Sequence, residues 1–346
     1  MATKKTVFII GAGASKEANL PLATDLTKKI ASALDVRSDD GCFSLTGNDH
    51  VLAESLNHVA AEAPFSVGSI RDTAWQIRDA MPQASSIDQF IDNRRGDVKI
   101  SRCGKLAIAR TIILEESQSL LASHGGRLDF RPLEDTWYCG FWRWLIDGCD
   151  IAALKGRLSS VALIVFNYDR CVEHYLHNAL QNYYEINSSD AASLLHSVEI
   201  FHPYGTVGSL PWQDTAHAKI DFGAEVRPPQ LLNLAEGIKT FTEGRNLASG
   251  ELTRCRTQLA EANQVIFLGF AFNPMNLDLL WPTASPRDGS SRKCFATAFG
   301  ISESDCNEIS TDLAHIGNFS PKNVAVRRDL RCKQIFSEFW RRISLL

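Results

Sequence analysis

Hydrophobic and polar positions divide this chain into short unbroken apolar runs and longer stretches with helical spacing. Val7-Phe8-Ile9-Ile10 is entirely apolar and stops at Gly11-Ala12-Gly13-Ala14-Ser15. Val161 to Phe166 stops at Asn167-Tyr168-Asp169, and a shorter run from Val198 ends in His202-Pro203-Tyr204-Gly205. Val265 to Leu268 stops at Gly269-Phe270, and Cys294 to Phe299 stops at Gly300. Apolar runs without polar alternation mark strands covered on both faces, as in a parallel sheet. Helical spacing follows several of them: Leu26, Ile30, Ala33 and Leu34 after Thr24, then Val172, Leu176, Ala179 and Leu180 after Asp169. Repetition of strand, polar turn and helix predicts an α/β fold with a Rossmann-like, doubly wound parallel sheet.

One long interval breaks that alternation. Residues 36 to 50 are rich in Ser, Asp, Gly and Asn and read as a surface loop. From about Val51 to Leu154 no period-two pattern occurs, and the best-defined stripe is Leu106, Ala109, Ile113 and Leu120. The expected organisation is a Rossmann-like domain of residues 1–35 and 155–346, with 36–154 as an inserted helical module. Within the insert, Trp137, Phe141, Trp142 and Trp144 read as core packing. Ser86 and Gln89 read as a reciprocal capping pair at a helix start. Residues 333–346 read as a final amphipathic helix.

Composition narrows the class. With 45% apolar and 22% charged residues, the chain has ordinary globular content and lacks a run of membrane-spanning length. Only four strongly apolar residues follow Lys4 and Lys5 before the glycines, too few for a signal-peptide core, so a cytoplasmic location is expected. A formal net charge of −4 argues against nucleic acid as the default partner. Nine scattered cysteines form no Cys-x-x-Cys pair, so no metal site is expected.

The polar residues at the strand ends carry the candidate chemistry, because open α/β sheets bind ligands there. Gly11 and Gly13 allow a sharp turn and a close backbone approach, and the helix behind them would offer free N–H groups to phosphate. Lys16 stands where a dinucleotide fingerprint has its third glycine, which disfavours a dehydrogenase. Asn167 and Asp169 are either ligand contacts or caps of the following helix. Strand alternation places His202 and Tyr204 on one side.

The Gly-Ala-Gly-x-Ser turn, the Asn-x-Asp strand end, the strand end carrying His202 and Gly205, and the late Leu-Gly-Phe turn occur in an order that resembles the sirtuin superfamily. More narrowly, the chain resembles bacterial sirtuin-like NADases of antiphage defence, including a match at Ser86-Ile87-Asp88-Gln89-Phe90-Ile91. The resemblance implies that Gly11, Ala12, Gly13, Ala14 and Ser15 bind the diphosphate and ribose of NAD, and that Gly269 and Phe270 approach its adenosine side. It places Asn167 as a catalytic residue with Asp169 beside it. Sirtuin deacylases carry an aromatic residue and an arginine after their proline and two zinc-binding cysteine pairs. Here Leu22, Ala23 and Thr24 follow Pro21, and the zinc module is lacking. Where the family has His before Gly, this chain has Tyr204 before Gly205. His202 is the favoured base because imidazole titrates near neutrality, with Tyr204 as the alternative.

These implications define an expected NAD+ glycohydrolase, releasing nicotinamide and ADP-ribose without a metal, as a regulated abortive-infection effector. NAD is its substrate. A homo-oligomer and a HerA-class motor ATPase as partner are implied by the same resemblance. The alternatives are a non-catalytic subunit that senses NAD or ADP-ribose, a protein deacylase and an ADP-ribosyltransferase.

Overall fold

The computed structural model describes residues 5–38, 44–123, 125–215, 217–246, 250–282 and 291–345. Six strands form one parallel sheet: β1 Thr6–Ile10, β2 Val161–Val165, β3 Glu199–Phe201, β4 Gln264–Leu268, β5 Lys293–Thr297 and β6 Val324–Arg327. Their spatial order is β3-β2-β1-β4-β5-β6. The fold is therefore Rossmann-like α/β, and its topological switch point lies between β1 and β4. β6 has no counterpart among the expected strands. It is an edge strand, half-exposed along its whole length, so burial did not demand a long apolar run there.

Alternate side chains of the central strands enter two different cores, as a period of two requires. Phe8, Ile10, Leu163, Ile266 and Leu268 pack on one face, against the helices Trp137–Ile146, Ile151–Leu158, Cys171–Tyr184 and Cys332–Glu338. Val7, Ile9, Ile164, Val265 and Phe267 pack on the other, against Gly250–Glu261, Pro274–Leu280 and Glu303–Ile316. The tryptophan-rich stretch is core: Trp137 and Trp144 are fully buried, and their indole N–H groups donate to Ala14 O and Ile343 O. The expected C-terminal helix is two pieces, Cys332–Glu338 and Trp340–Ile343, divided at Phe339.

A third core lies in a helical layer built from Ala23–Ala33, His50–Ala61, Val67–Ala80, Ile87–Asp92, Val98–Gln118 and Pro228–Ala235. Among the described residues, 51–154 contains no strand of the named elements. The interval 36–50 is not all loop, since Val36–Ser38 and Leu45–Gly47 pair antiparallel and bury Val36 and Leu45 against the helices. Packing also crosses the chain divisions at residues 36 and 154. Ala23–Ala33 and Pro228–Ala235 join the helical layer, whereas Trp137–Ile146 and Ile151–Leu158 join the sheet.

One buried ion pair joins helical layer to sheet. Glu116, on Val98–Gln118, and Arg170, just beyond β2, are 0% and 1% exposed. Glu116 accepts from Arg170 Nη2 at 2.5 Å, from Arg170 Nε and backbone N at 3.1 Å each, and from Gly223 N at 3.2 Å. Arg170 Nη1 also donates to Ile220 O at 2.7 Å. Three chain segments meet on one guanidinium. Removing one partner strands a buried charge, so Glu116→Leu is expected to lower unfolding free energy by about 3–5 kcal/mol in denaturant titrations. A loss below about 1 kcal/mol would show that the pair does not hold these layers together.

Candidate functional site

In-register pairing sets the geometry at the carboxyl ends of the central strands. Ile10 pairs with both Val165 and Leu268, so Gly11, Phe166 and Gly269 leave the sheet at one level. Gly11 N–H donates to Leu268 O and Gly13 N–H to Gly269 O, both at 3.0 Å. A Cβ at Gly11 would lie 2.6 Å from Gly269 O, and one at Gly13 would lie 2.8 Å from Gly269 Cα. Gly269 has φ +56°, and a Cβ on it would lie 2.1 Å from Ala14 N. These three glycines are needed because two strand exits touch backbone to backbone.

Over this junction lies a cavity of about 290 Å³. Gly11 and Ala12 reach it from β1, Phe166, Asn167, Tyr168 and Asp169 from β2, and Phe270, Ala271 and Asn273 from β4. The loop after β3 contributes Tyr204, and the helical layer contributes Ser86, Asp88 and Gln89. Of the residues expected to contact ligand, Gly13, Ala14, Ser15 and Gly269 do not line it. The N–H of Gly13 is committed to β4, Ala14 is buried with its carbonyl bonded to Trp137, and Gly269 N–H donates to Thr297 Oγ1 at 2.9 Å. Their contribution is the shape of the turn.

Ser15 acts one layer behind the cavity wall. Its hydroxyl donates to Asp169 Oδ2 and accepts from Asn167 Nδ2, each at 2.8 Å, with all three residues at or below 9% exposure. The turn after β1 thereby fixes the rotamers of the polar pair after β2. Asp169 Oδ1 accepts from Cys171 N at 3.2 Å, so this carboxyl also serves the helix start. Burial raises its pKa above the ordinary carboxylate range, against the opposing bonds from Cys171 and Ser15.

Strand alternation fails at His202 and Tyr204, because β3 ends at Phe201 and residues 203–204 form a turn in which Gly205 N–H donates to His202 O. The two side chains part. Tyr204 lines the cavity and donates to Asn276 Oδ1. His202 lies outside it, with Nε2 2.7 Å from Glu173 Oε1 and Nδ1 3.1 Å from the carbonyl of Asn167. Burial alone would depress its pKa, but the adjacent Glu173 carboxylate outweighs this and holds it above the usual imidazole value. The ring that sequence favours as a base is thus tied into an ion pair that supports the Asn167 backbone.

Asp88, Tyr168, Phe166 and Phe241 are among the cavity residues that the sequence pattern does not single out. Asp88 accepts from the Tyr168 hydroxyl, and burial raises the pKa of both groups. Phe166 and Phe241 supply aromatic wall. Asp88 lies in the stretch read as a helix cap, and Tyr168 is the middle residue of Asn-x-Asp, so their signals were present but attributed to local structure. The cap itself is half of the expected box: Ser86 Oγ accepts from Gln89 N, while the Gln89 side chain accepts from Ser85 instead. Among the described residues no cluster of His, Cys, Asp and Glu has the arrangement of a metal site, and no helix is long and apolar enough to cross a membrane.

No protein-family model matches the chain, and no curated protein matches it.

Two tests follow from this geometry. Gly269→Ala combines a left-handed backbone with a backbone clash and is expected to cost more than about 2 kcal/mol in thermal or denaturant unfolding; near-wild-type stability would contradict the contact. In an NMR pH titration, His202 should titrate above 6.5, whereas buried His174 should stay neutral until about pH 4. Because the folded pKa of His202 is raised, its stabilisation is complete below the unfolded value and is lost as pH rises through the folded one. His174 has the opposite sign, lowering stability as pH falls from about 6.5 towards about 4. Titration of both rings near 6.5 would refute the two environments.

Proposed function

We propose that the cavity at the switch point hydrolyses NAD+ at the bond between nicotinamide and ribose. The observation that carries this reading is the Ser15–Asn167–Asp169 hydrogen-bonded set, which presents Asn167 at the point where β1, β2 and β4 leave the sheet. A doubly wound sheet with this strand order binds dinucleotides at that crevice. The sequence resemblance to sirtuin-like NADases supplies the reaction.

In the reaction the C1–N bond breaks and its electron pair neutralises the pyridinium nitrogen of the departing nicotinamide. A water molecule forms the new C1–O bond and gives up one proton. Asn167, held by Ser15, orients the nicotinamide amide or the water. The cavity-lining Asp88 carboxyl receives the proton, and burial shifts its pKa upward, the direction that favours proton uptake. Asp169 supplies negative charge beside the developing cation. Tyr204 takes the place of a family histidine as a hydrogen-bonding group, since burial drives its phenol upward and away from base chemistry. His202 is a positioning residue in this scheme, acting through the Asn167 carbonyl.

The same reading includes a regulated antiphage role, a homo-oligomer and a HerA-class ATPase partner. Light scattering after size exclusion, alone and with the neighbouring gene product, should give masses above the 38.3 kDa of one chain; a monomer in both runs would remove both assemblies. For the chemistry, purified protein incubated with NAD+ should release nicotinamide and ADP-ribose in equal amounts. Asn167→Ala should lower turnover roughly 100-fold with folding retained. Binding of NAD+ without nicotinamide release would replace the hydrolase with a sensing or scaffolding subunit.

A further inference from the structure

A second cavity, of about 190 Å³, has no lining residue in common with the main one among the described residues. It is bounded by Ile200 on β3, by Arg170 and Glu173 at the start of the helix Cys171–Tyr184, and by Lys239 beyond the helix Pro228–Ala235. The excursion after Gly205 closes it with Thr206, Ser209 and Gln213. Two ring stacks clamp that excursion to one face of the helix Cys171–Tyr184: His174 lies 4.2 Å from Phe222 at 10°, and His177 lies 4.6 Å from Trp212 at 7°. The wall is built before any ligand arrives.

The unmet bonds of this cavity define what it holds. Glu173 is 3% exposed; its Oε1 meets His202 Nε2 at 2.7 Å, while its Oε2 is buried and has no donor among the described residues. A buried acceptor without a donor is destabilising, so Oε2 calls for an O–H or N–H. A cationic donor would be set beside Arg170 and the His202 ring, which favours a neutral one. Charge makes the complementary demand. Arg170 is matched by Glu116 and His202 by Glu173, whereas the Lys239 ammonium has no acid partner among the described residues. Glu251, the other acid of the lining, is exposed. Ser209 Oγ accepts from Thr215 Oγ1 at 2.6 Å and keeps its own proton to donate. Gln213 Oε1 accepts from Leu210 N at 2.7 Å, which leaves its amide N–H groups for a ligand. Ile200 is the one apolar side chain among the described lining residues.

We propose that this second cavity binds a small polyhydroxylated anion, a sugar phosphate or a sugar acid, whose anionic group pairs with Lys239 and one of whose hydroxyls donates to Glu173 Oε2. Further ligand hydroxyls accept from Ser209 and Gln213, whereas an apolar ring would find only Ile200 to pack on. The site stands independently of the NAD+ reading. It is joined to the main cavity all the same, because His202 Nε2 bonds Glu173 and His202 Nδ1 lies 3.1 Å from the Asn167 carbonyl. The His202 ring therefore reports whether the cavity is occupied.

Calorimetry on the full chain compares glucose 6-phosphate and gluconate with neutral glucose and with inorganic phosphate. At least one of the two sugar anions should bind roughly tenfold or more tightly than both controls, and whichever binds identifies the anionic group. The bound anion should shift the His202 ring signals saturably in NMR spectra, while those of exposed His50 stay in place. Lys239→Gln should weaken binding roughly tenfold, and Lys239→Arg should restore most of the loss. Circular dichroism and unfolding midpoints establish that both variants fold; if Lys239→Gln does not, the four-probe comparison and the His202 shift decide the matter on the wild-type chain. Binding of neither sugar anion, equal affinity for glucose or inorganic phosphate, an unmoved His202 ring, or full affinity in folded Lys239→Gln overturns the proposal. These readouts are separate from nicotinamide release, so either proposal can fail without the other.

Discussion

The site depends on the contact between the exits of β1 and β4, where Gly11 and Gly13 meet Gly269 with no side chain between them. Parallel strands in register bring their carboxyl ends to one level, and ordinary residues there would be forced apart by their Cβ atoms. Glycine on both sides lets the two turns hydrogen-bond instead, Gly11 to Leu268 and Gly13 to Gly269. The short helix after β1 is thereby drawn close over the sheet, and Ser15 arrives within 2.8 Å of both Asn167 and Asp169. Everything polar at the base of the cavity follows from that approach.

A second constraint holds the roof. The helical layer supplies Asp88, Gln89 and Ser86, and its orientation over the sheet is tied to Arg170 three residues after Asn167. Because Glu116 and Arg170 are both buried, the layers cannot slide without exposing one charge to a dry environment. Asp88 meets Tyr168 across the same junction, and Tyr168 itself packs into the helical core. The segment Asn167 to Arg170 therefore serves the cavity wall, the helix start and the layer interface at once. His202 and Glu173 complete it from behind by holding the Asn167 carbonyl.

Much of this was legible locally. Four central strands are visible because both faces of each are covered, which leaves no polar alternation, and the edge strand β6 is invisible for the converse reason. Gly11, Gly13, Asn167 and Asp169 stand out because a polar or glycine stop after an apolar run is a local pattern. His202 and Tyr204 were separable only in three dimensions. Alternation holds while a strand continues, and β3 stops one residue too early for it to apply.

By itself the sequence determined the α/β class, the positions of the central strands and the residues at their ends, since each follows from burial and backbone preference within a few neighbouring residues. Tertiary structure decided what those residues do. Gly13 and Gly269 meet at the strand exits and do not line the cavity, Ser15 holds the Asn167 and Asp169 side chains, and Tyr204 rather than His202 stands at the cavity wall. It also gathered Asp88, Phe166 and Phe241 around one space although they are far apart in the chain. That assignment depends on which surfaces meet when layers pack, a property of distances between elements that no local pattern encodes.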